Sequence, residues 1–247
     1  MKQIESRKTK PIISRAKEDG RNSLFEHEAE LVASHYGIPV LKSALARNER
    51  EALACSRKIG YPVAMKIVSR DILHKSDVGG IELNLETPGH VRTAYREILS
   101  NVRKKSRNSR IEGVLIQKMA RRPPFEFVVG GIRDKQFGPA VMFGLGGIYI
   151  EVFRDVTFRL APLSTNSALR MIRSIKSSKL LEGFRGAPPL DGEQAARIIS
   201  KVGKILVDNP EVDSIDINPL FIYPKGVVAA DVRMILGEDV GAHLPKD

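Results

Sequence analysis

What the sequence lacks narrows it at once. It holds a single cysteine, Cys55, in 247 residues, which excludes an internal disulfide and any cysteine-based metal cluster within the chain. Cys55 falls in a predicted helix and reads as packing, and a chain so poor in thiols suits a reducing compartment, so the cytoplasm is the expected location. No apolar run approaches the length of a membrane span, and the amino terminus has no charged-then-apolar secretory pattern. No Walker-type glycine-lysine-serine or glycine-lysine-threonine motif occurs anywhere. The glycine cluster Gly144-Leu145-Gly146-Gly147 is not a dinucleotide fingerprint either, because it sits between predicted strands and lacks the full spacing and a following helix.

What is present is the composition of a soluble globular protein, 42% hydrophobic and 28% charged, with length enough for one large domain or two lobes. The net charge of +11 calls for an anionic partner or plain solubility. Its densest basic run, Arg103 to Arg110 (RKKSRNSR), follows a predicted helix and contains no aromatic side chain on which a base would stack. A solvated helix end and loop is the simpler reading, which makes nucleic acid an unlikely partner.

The chain is organised around residues 61 to 80, YPVAMKIVSRDILHKSDVGG. Pro62 to Val68 is a short β-branched apolar run between turn signals, hence a buried strand. Lys66 lies inside it. A lysine on a buried strand carries a desolvation cost unless an anion meets it, and a nucleotide phosphate is a common small anion of that kind. A polar segment with His74, Lys75, Ser76 and Asp77 follows and closes on Gly79-Gly80, two residues that let a backbone approach a ligand closely. Each feature alone has a plainer explanation: a snorkelling lysine, a solvated histidine, an ordinary turn. Their combination points to phosphate chemistry.

In chain order, residues 1 to 22 are polar, carry both charges, have only Ile12-Ile13 as an apolar pair, and read as a mobile arm. Ser23 with Glu26 forms a capping box for a first helix that ends at Gly37. Asn48 with Glu51 caps a second helix, Glu49 to Ile59, stopped by Gly60. After the Lys66 strand, Ile81 to Leu85 alternates like a half-buried strand. Thr87-Pro88 opens a helix whose Val91, Ala94, Tyr95, Ile98, Leu99 and Val102 share a face. Gly113 to Met119 is a strand, which places Gln117 near Lys66 if the two strands are neighbours. These elements make an α+β lobe over residues 23 to 119.

A second lobe is expected over residues 120 to 247. Arg121-Arg122-Pro123-Pro124 forms a stiff connector. Strands follow at Phe125 to Ile132 and Pro139 to Phe143, joined by a turn around Asp134-Lys135, and again at Tyr149 to Phe153 and Thr157 to Leu160. Helices are expected from Ser167 to Ile175 and from Gly192 to Val207, the latter capped by Asp191 with Gln194. The closing element is a hairpin, Val212 to Tyr223 and Val227 to Ile235. On its first strand Asp216 and Asn218 point away from the isoleucines, and counting across the turn puts Asp231 opposite Asn218. A carboxylate and an amide oxygen on one sheet face are ligands that magnesium accepts when phosphates and waters complete its shell; the plainer alternative is a solvated sheet face.

At these residues the sequence resembles a known family. The run KIGYPVAMK from Lys58 to Lys66 resembles the first-lobe strand of ATP-grasp enzymes, and Asp216-Ile-Asn218-Pro-Leu220 with Asp231 resembles their magnesium strand pair. Leu24 to Tyr36 followed by Gly37-Ile-Pro39 is similar to the amino terminus of the succinyl-CoA synthetase beta subunit. The segment His74-Lys-Ser-Asp-Val-Gly-Gly80 is similar to a loop of the beta subunit of ADP-forming acetyl-CoA (acyl-CoA) synthetases. The resemblance covers residues 23 to 240.

The resemblance implies a two-lobed ATP-grasp fold in which ATP or ADP is the nucleotide substrate and Mg2+ the cofactor. It implies that Lys66, with Gly79 and Gly80 of the loop, meets phosphates; that Gln117, Lys118 and Met119 edge the adenine; that Glu126 lies near the nucleotide; and that Asn218 and Asp231 hold the metal. His74 would be transiently phosphorylated, Asp216 would orient an imidazole or sit at the transfer site, and a separate CoA-binding alpha subunit would carry a second phosphohistidine, the assembly being expected as a heterotetramer. The implied reaction converts acyl-CoA, ADP and phosphate into free acid, CoA and ATP, reversibly. Because the chain stops soon after the magnesium hairpin, without the carboxy-terminal domain of succinyl-CoA synthetase beta chains, it is expected to be inactive alone. The His74 segment stands where ATP-grasp carboxylases have a multi-glycine loop, which weighs against the alternative of a stand-alone carboxylate-amine ligase.

Overall fold

The computed structural model describes residues 2–72, 74–147, 154–183 and 186–237. They divide into two compact units, one of Met1–Val40 with Arg122–Asp247 and the other of Leu41–Arg121.

The first unit begins with two helices. α1, Lys2–Glu18, replaces the expected mobile arm. Thr9, Ile13 and Ala16 recur at helical spacing and are fully or almost fully buried, and the Thr9 hydroxyl donates to Asn209 Oδ1 at 2.9 Å. The stripe is narrow and the rest of the segment is charged, so its polar composition hid the buried face. α2, Glu26–His35, starts later than the expected Ser23 cap. Its amino end is closed by Glu28, whose carboxylate accepts the Phe25 N–H at 2.9 Å and is gripped by Arg21 at 2.6 and 3.0 Å. The chain around α2 is stitched to the last strand of this unit, Leu24 N–H to the Met234 carbonyl at 3.0 Å and Leu236 N–H to the Asn22 carbonyl at 2.8 Å. The opening helix therefore belongs with residues 122–247 and not with the lobe that follows it in sequence.

The second unit is an antiparallel sheet of β1 (Ser43–Ala46), β2 (Val63–Ser69), β3 (Ile81–Leu85) and β4 (Ile111–Lys118), in the order β1-β4-β2-β3. Helices α3 (Glu49–Ile59) and α4 (Pro88–Lys105) pack on one face. There Val63, Met65, Ile67, Val114 and Ile116 meet Ala52, Val91, Ala94, Ile98 and Val102 in one apolar cluster, and each large aliphatic side chain so buried contributes about 1.5–3 kcal/mol. The caps are those expected: Asn48 Oδ1 accepts the Glu51 N–H at 2.9 Å and Thr87 Oγ1 the His90 N–H at 3.1 Å. Strand β1 was not foreseen. The alternation expected for β3 breaks at Asn84, whose φ is +55°, and Leu83 is left 53% exposed while Leu85 is buried.

The rest of the first unit is built on β5 (Glu126–Asp134), β6 (Gly138–Leu145), β7 (Val156–Leu160), β8 (Val212–Ile222), β9 (Val227–Ala229) and β10 (Val232–Leu236). They form an antiparallel sheet in the order β10-β8-β5-β6-β7, with β9 also paired to β8. The expected closing hairpin is thus three strands, its return arm interrupted at Ala230-Asp231. Helices α5 (Thr165–Ser174), α6 (Ser178–Leu181) and α7 (Gly192–Asp208) complete it. Asp191 caps α7 through the Gln194 N–H at 3.0 Å. α7 lies so close to β5 that a Cβ on Gly131 would come within 2.8 Å of Leu206 Cδ1. The strand expected at Tyr149 to Phe153 lies outside the described residues.

Candidate functional site

The sequence-derived site residues fall in both units. In the second, Lys66 sits on β2 opposite Leu115 of β4, and Gln117 of β4 sits opposite Ala64 of β2. Residues directly opposed on antiparallel strands share a face, so Lys66 and Gln117 project together, on the side away from α3 and α4. Both are buried, at 8% and 3% exposure.

The loop after β2 returns to this point. The Gly80 carbonyl accepts the Ile67 N–H at 2.7 Å, and the Gly80 and Gly79 N–H groups bond back to the carbonyls of Lys75 and Ser76 at 2.8 and 3.0 Å. Gly80 must be glycine for want of room, since a Cβ there would lie 2.5 Å from Ile67 Cγ2. Gly79 turns with φ +65°, in the region that favours glycine. The loop thereby leaves the sheet at Ser69 and rejoins it beside Lys66, which pairs with Ile81. His74, midway along, is exposed.

At the end of β4, the Met119 N–H donates to the Pro62 carbonyl at 3.1 Å. The Lys118 ammonium donates to the carbonyls of Gly60 and Tyr61 at 2.9 and 2.7 Å. Sequence reasoning assigned Lys118 to the nucleotide by its place in the Gln117–Met119 run. Its charged end is occupied by the turn before β2, and its backbone N–H donates to the Lys42 carbonyl at 2.8 Å.

In the first unit, Glu126 begins β5 beside the glycine cluster. Its carbonyl accepts the Gly146 N–H at 2.7 Å, its Oε1 accepts from Arg122 Nε at 2.7 Å, and a Cβ on Gly147 would lie 3.0 Å from its Oε2. Gly147 turns beside this carboxylate with φ +65°.

The polar face of β8 is assembled as counting suggested. Ile217 pairs with Val232 and Asp216 with Arg233, and the Asn218 N–H bonds to the Asp231 carbonyl at 3.3 Å. Asn218 and Asp231 are therefore opposed, on the same face as Asp216. Burial pushes the Asp216 carboxyl up; Arg233 opposes that shift and the Asp231 charge adds to it. An amide oxygen and a carboxylate side by side, with a second carboxylate near, fit a hard dication that takes its remaining ligands from phosphate and water. Among the described residues no group of three or more histidine, cysteine or acidic side chains is gathered as a metal site.

Sequence reasoning missed two neighbours of Asp216. Arg233 of β10 stands directly across from it, a placement readable from its position two residues beyond Asp231. Gly130 opposes Asp216 from β5 and with Met142, Phe158, Ser214 and Asp216 itself lines a cavity of about 210 Å3. That cavity depends on pairing between strands far apart in sequence.

The sequence pattern of the ATP-grasp domain family matches residues 15–236. The chain belongs to the ATP-grasp family. Within it, the chain is 48% identical over 231 residues to the beta subunit of acetate–CoA ligase [ADP-forming] I from Pyrococcus furiosus, covering 93% of this chain and 98% of that one. Two structures of acetyl-coenzyme A synthetase 1 from Ca. Korarchaeum cryptofilum are also similar. One, in complex with coenzyme A, Ca-AMPCP and HgCl+, has a TM-score of 0.89 at 50% identity over 93% of this chain and 100% of that chain. The other, with coenzyme A and Mg-AMPPCP and its phosphohistidine segment pointing towards the nucleotide-binding site, has a TM-score of 0.82 at 47% identity with the same coverage. This chain is thus an ATP-grasp protein of the ADP-forming acetate–CoA ligase beta-subunit type, and its α+β architecture is that of the family.

Proposed function

We propose that this chain is the nucleotide-binding subunit of an ADP-forming acyl-CoA synthetase, passing a phosphoryl group between His74 and ADP or ATP. The observation that carries the reading is the return of the His74 loop to the sheet beside Lys66, pinned by the bond from Ile67 N–H to the Gly80 carbonyl at 2.7 Å. A buried lysine and an exposed imidazole on one short strand-loop unit are what group transfer from a bound phosphate needs: a fixed cation and a nucleophile able to travel.

In the direction of ATP synthesis, an oxygen of the ADP β-phosphate attacks the phosphorus on His74 and the phosphorus–nitrogen bond breaks, its electron pair staying on that nitrogen; a proton on the other ring nitrogen lets the imidazole leave neutral. Lys66 offsets charge on the transferred oxygens, and the Gly79-Gly80 turn, without side chains, lets a phosphate approach the backbone. The Gln117–Met119 segment edges the base through its backbone, and Glu126 lies near the nucleotide. Asn218 and Asp231 would hold Mg2+, which when bound neutralises phosphate charge. Asp216, half-buried and facing Arg233, receives the incoming imidazole. The phosphoryl group reaches His74 from a histidine of a CoA-binding alpha subunit, with which this chain assembles as a heterotetramer. The overall balance is acyl-CoA, ADP and phosphate giving acid, CoA and ATP.

The test is labelling with γ-labelled ATP and magnesium, with and without the CoA-binding partner. Acid-labile, base-stable label on His74, lost in His74→Ala while ADP still binds, is the expected result. Full turnover by His74→Ala with the partner present refutes the assignment.

A further inference from the structure

The basic run Arg103 to Arg110 has no part in the site as described, yet in the fold it grips both ends of the His74 loop. At the loop's start the Asp71 carboxylate takes three bonds from Arg110: the backbone N–H at 2.7 Å and Nε at 3.0 Å to Oδ2, and Nη2 at 2.6 Å to Oδ1. Beside it Arg70 pairs with Glu112 at 3.0 Å. At the loop's end Lys105 Nζ donates to the Asp77 carbonyl at 2.8 Å. Asn101 backs Gly79 so closely that a Cβ there would lie 3.0 Å from its Nδ2. Single exposed ion pairs are weak, but a fork joined by a main-chain bond on one carboxylate is the geometry in which they matter. The bonds from Arg110 hold the Asp71 carboxyl down at about 2, so the grip does not titrate near neutral pH.

We infer that the segment from Asn101 to Glu112 is the mount of the His74 loop, and that Arg110 and Lys105 are positioning residues that set how far the imidazole travels. This rests on the phosphoryl-carrying role of His74 proposed above. With Asp71 and Asp77 held, His74 is three residues from either anchor, a reach of about 10 Å. Freed at both ends, and with the loop's own bonds from Gly79 and Gly80 to Ser76 and Lys75 opening as it moves, it hangs from Ser69, the last residue of β2, five residues back, and from Gly80, six residues on and held by the Ile67 N–H, so the nearer tether sets a reach of about 17 Å. The volume searched grows with the cube of that reach, so the effective concentration of the imidazole at the nucleotide falls by up to about fivefold. Such a loss enters the rate at saturating nucleotide and leaves nucleotide affinity alone.

The experiment measures initial His74 labelling by γ-labelled ATP and magnesium in the full chain, for wild type, for Lys105→Ala combined in turn with Arg110→Ala, Arg110→Lys and Asp71→Asn, and for His74→Ala. The Arg110→Ala, Lys105→Ala variant is expected to label about two- to fivefold more slowly at saturating ATP, with an unchanged nucleotide Kd, and Arg110→Lys with Lys105→Ala to fall between it and wild type. Asp71→Asn with Lys105→Ala frees both ends while keeping the volume of residue 71 and the Arg110 side chain, and decides the matter if the Arg110→Ala double variant folds poorly. Wild-type labelling rates in Asp71→Asn with Lys105→Ala overturn the inference. If label persists in His74→Ala, the carrier assignment itself fails; if His74→Ala loses label while the braced and unbraced loops label alike, only the mount fails.

Discussion

Gly80→Ala probes the join between the loop and the Lys66 strand most directly. The constraint there is space. The new methyl would start 2.5 Å from Ile67 Cγ2 and 3.0 Å from the Lys75 carbonyl oxygen, against about 3.5–4.0 Å for an ordinary carbon contact. Something has to yield by about 1 Å. Ile67 has no exposed surface and a β-branch that restricts its χ1, so turning it off its rotamer costs about 0.5–1.5 kcal/mol before the surrounding cluster repacks. The alternative is to lift the loop, which breaks the Gly80 carbonyl bond to Ile67 N–H, worth about 0.5–1.5 kcal/mol. Either route falls within the usual overpacking cost of about 1–3 kcal/mol. For a chain of this length that lowers the melting temperature by about 2–12 °C, and lifting the loop would also slow His74 labelling. Differential scanning calorimetry reads the first effect. A double-mutant cycle with Ile67→Leu, which removes the Cγ2 methyl, tests its cause, because the double variant should recover part of the loss. Wild-type stability in Gly80→Ala, or strict additivity in the cycle, refutes the close approach.

Two further outcomes follow from the site. Asp216→Asn should stabilise the protein at pH 7 while slowing phosphoryl transfer. Burial raises the Asp216 carboxyl above 3.8, so the folded state binds that proton more tightly than the unfolded chain; its contribution to stability is present at acid pH and is lost as pH rises through the folded value. The gain from asparagine should therefore appear in melting curves at pH 7 and vanish near pH 4, and an equal gain at both pH values would show that charge burial is not its source. Lys118→Met should cost about 1–3 kcal/mol, because it leaves the Gly60 and Tyr61 carbonyls without their donor. Nucleotide affinity by calorimetric titration should be unchanged; a large rise in Kd without loss of stability would return the Lys118 ammonium to the nucleotide.

Much of this protein was legible from short stretches. Asn48 with Glu51, Thr87 before Pro88, and Asp191 with Gln194 mark helix starts because a cap is a bond between residues three apart. The turn at Asp134, whose carboxylate accepts the N–H groups of Gln136 and Phe137 at 2.8 Å each, is equally local. The opposition of Asn218 and Asp231 followed from counting along a strand of period two. The family resemblance added the roles of Lys66 and His74, which no spacing alone supplied.

Tertiary structure decided the rest, through contacts the chain makes with its own distant parts. Thr9 bonds to Asn209 across 200 positions and makes a buried helix of a segment whose composition reads as an arm. Arg110 finds Asp71 from 39 positions away, and Lys118 finds Gly60 from 58, so a solvated run and a ligand contact both become braces. The amino-acid order by itself sufficed where a bond joins near neighbours or a fixed period repeats. Where a side chain's partner is set by how strands and helices stack, only the folded chain says which charges are free and which are already held.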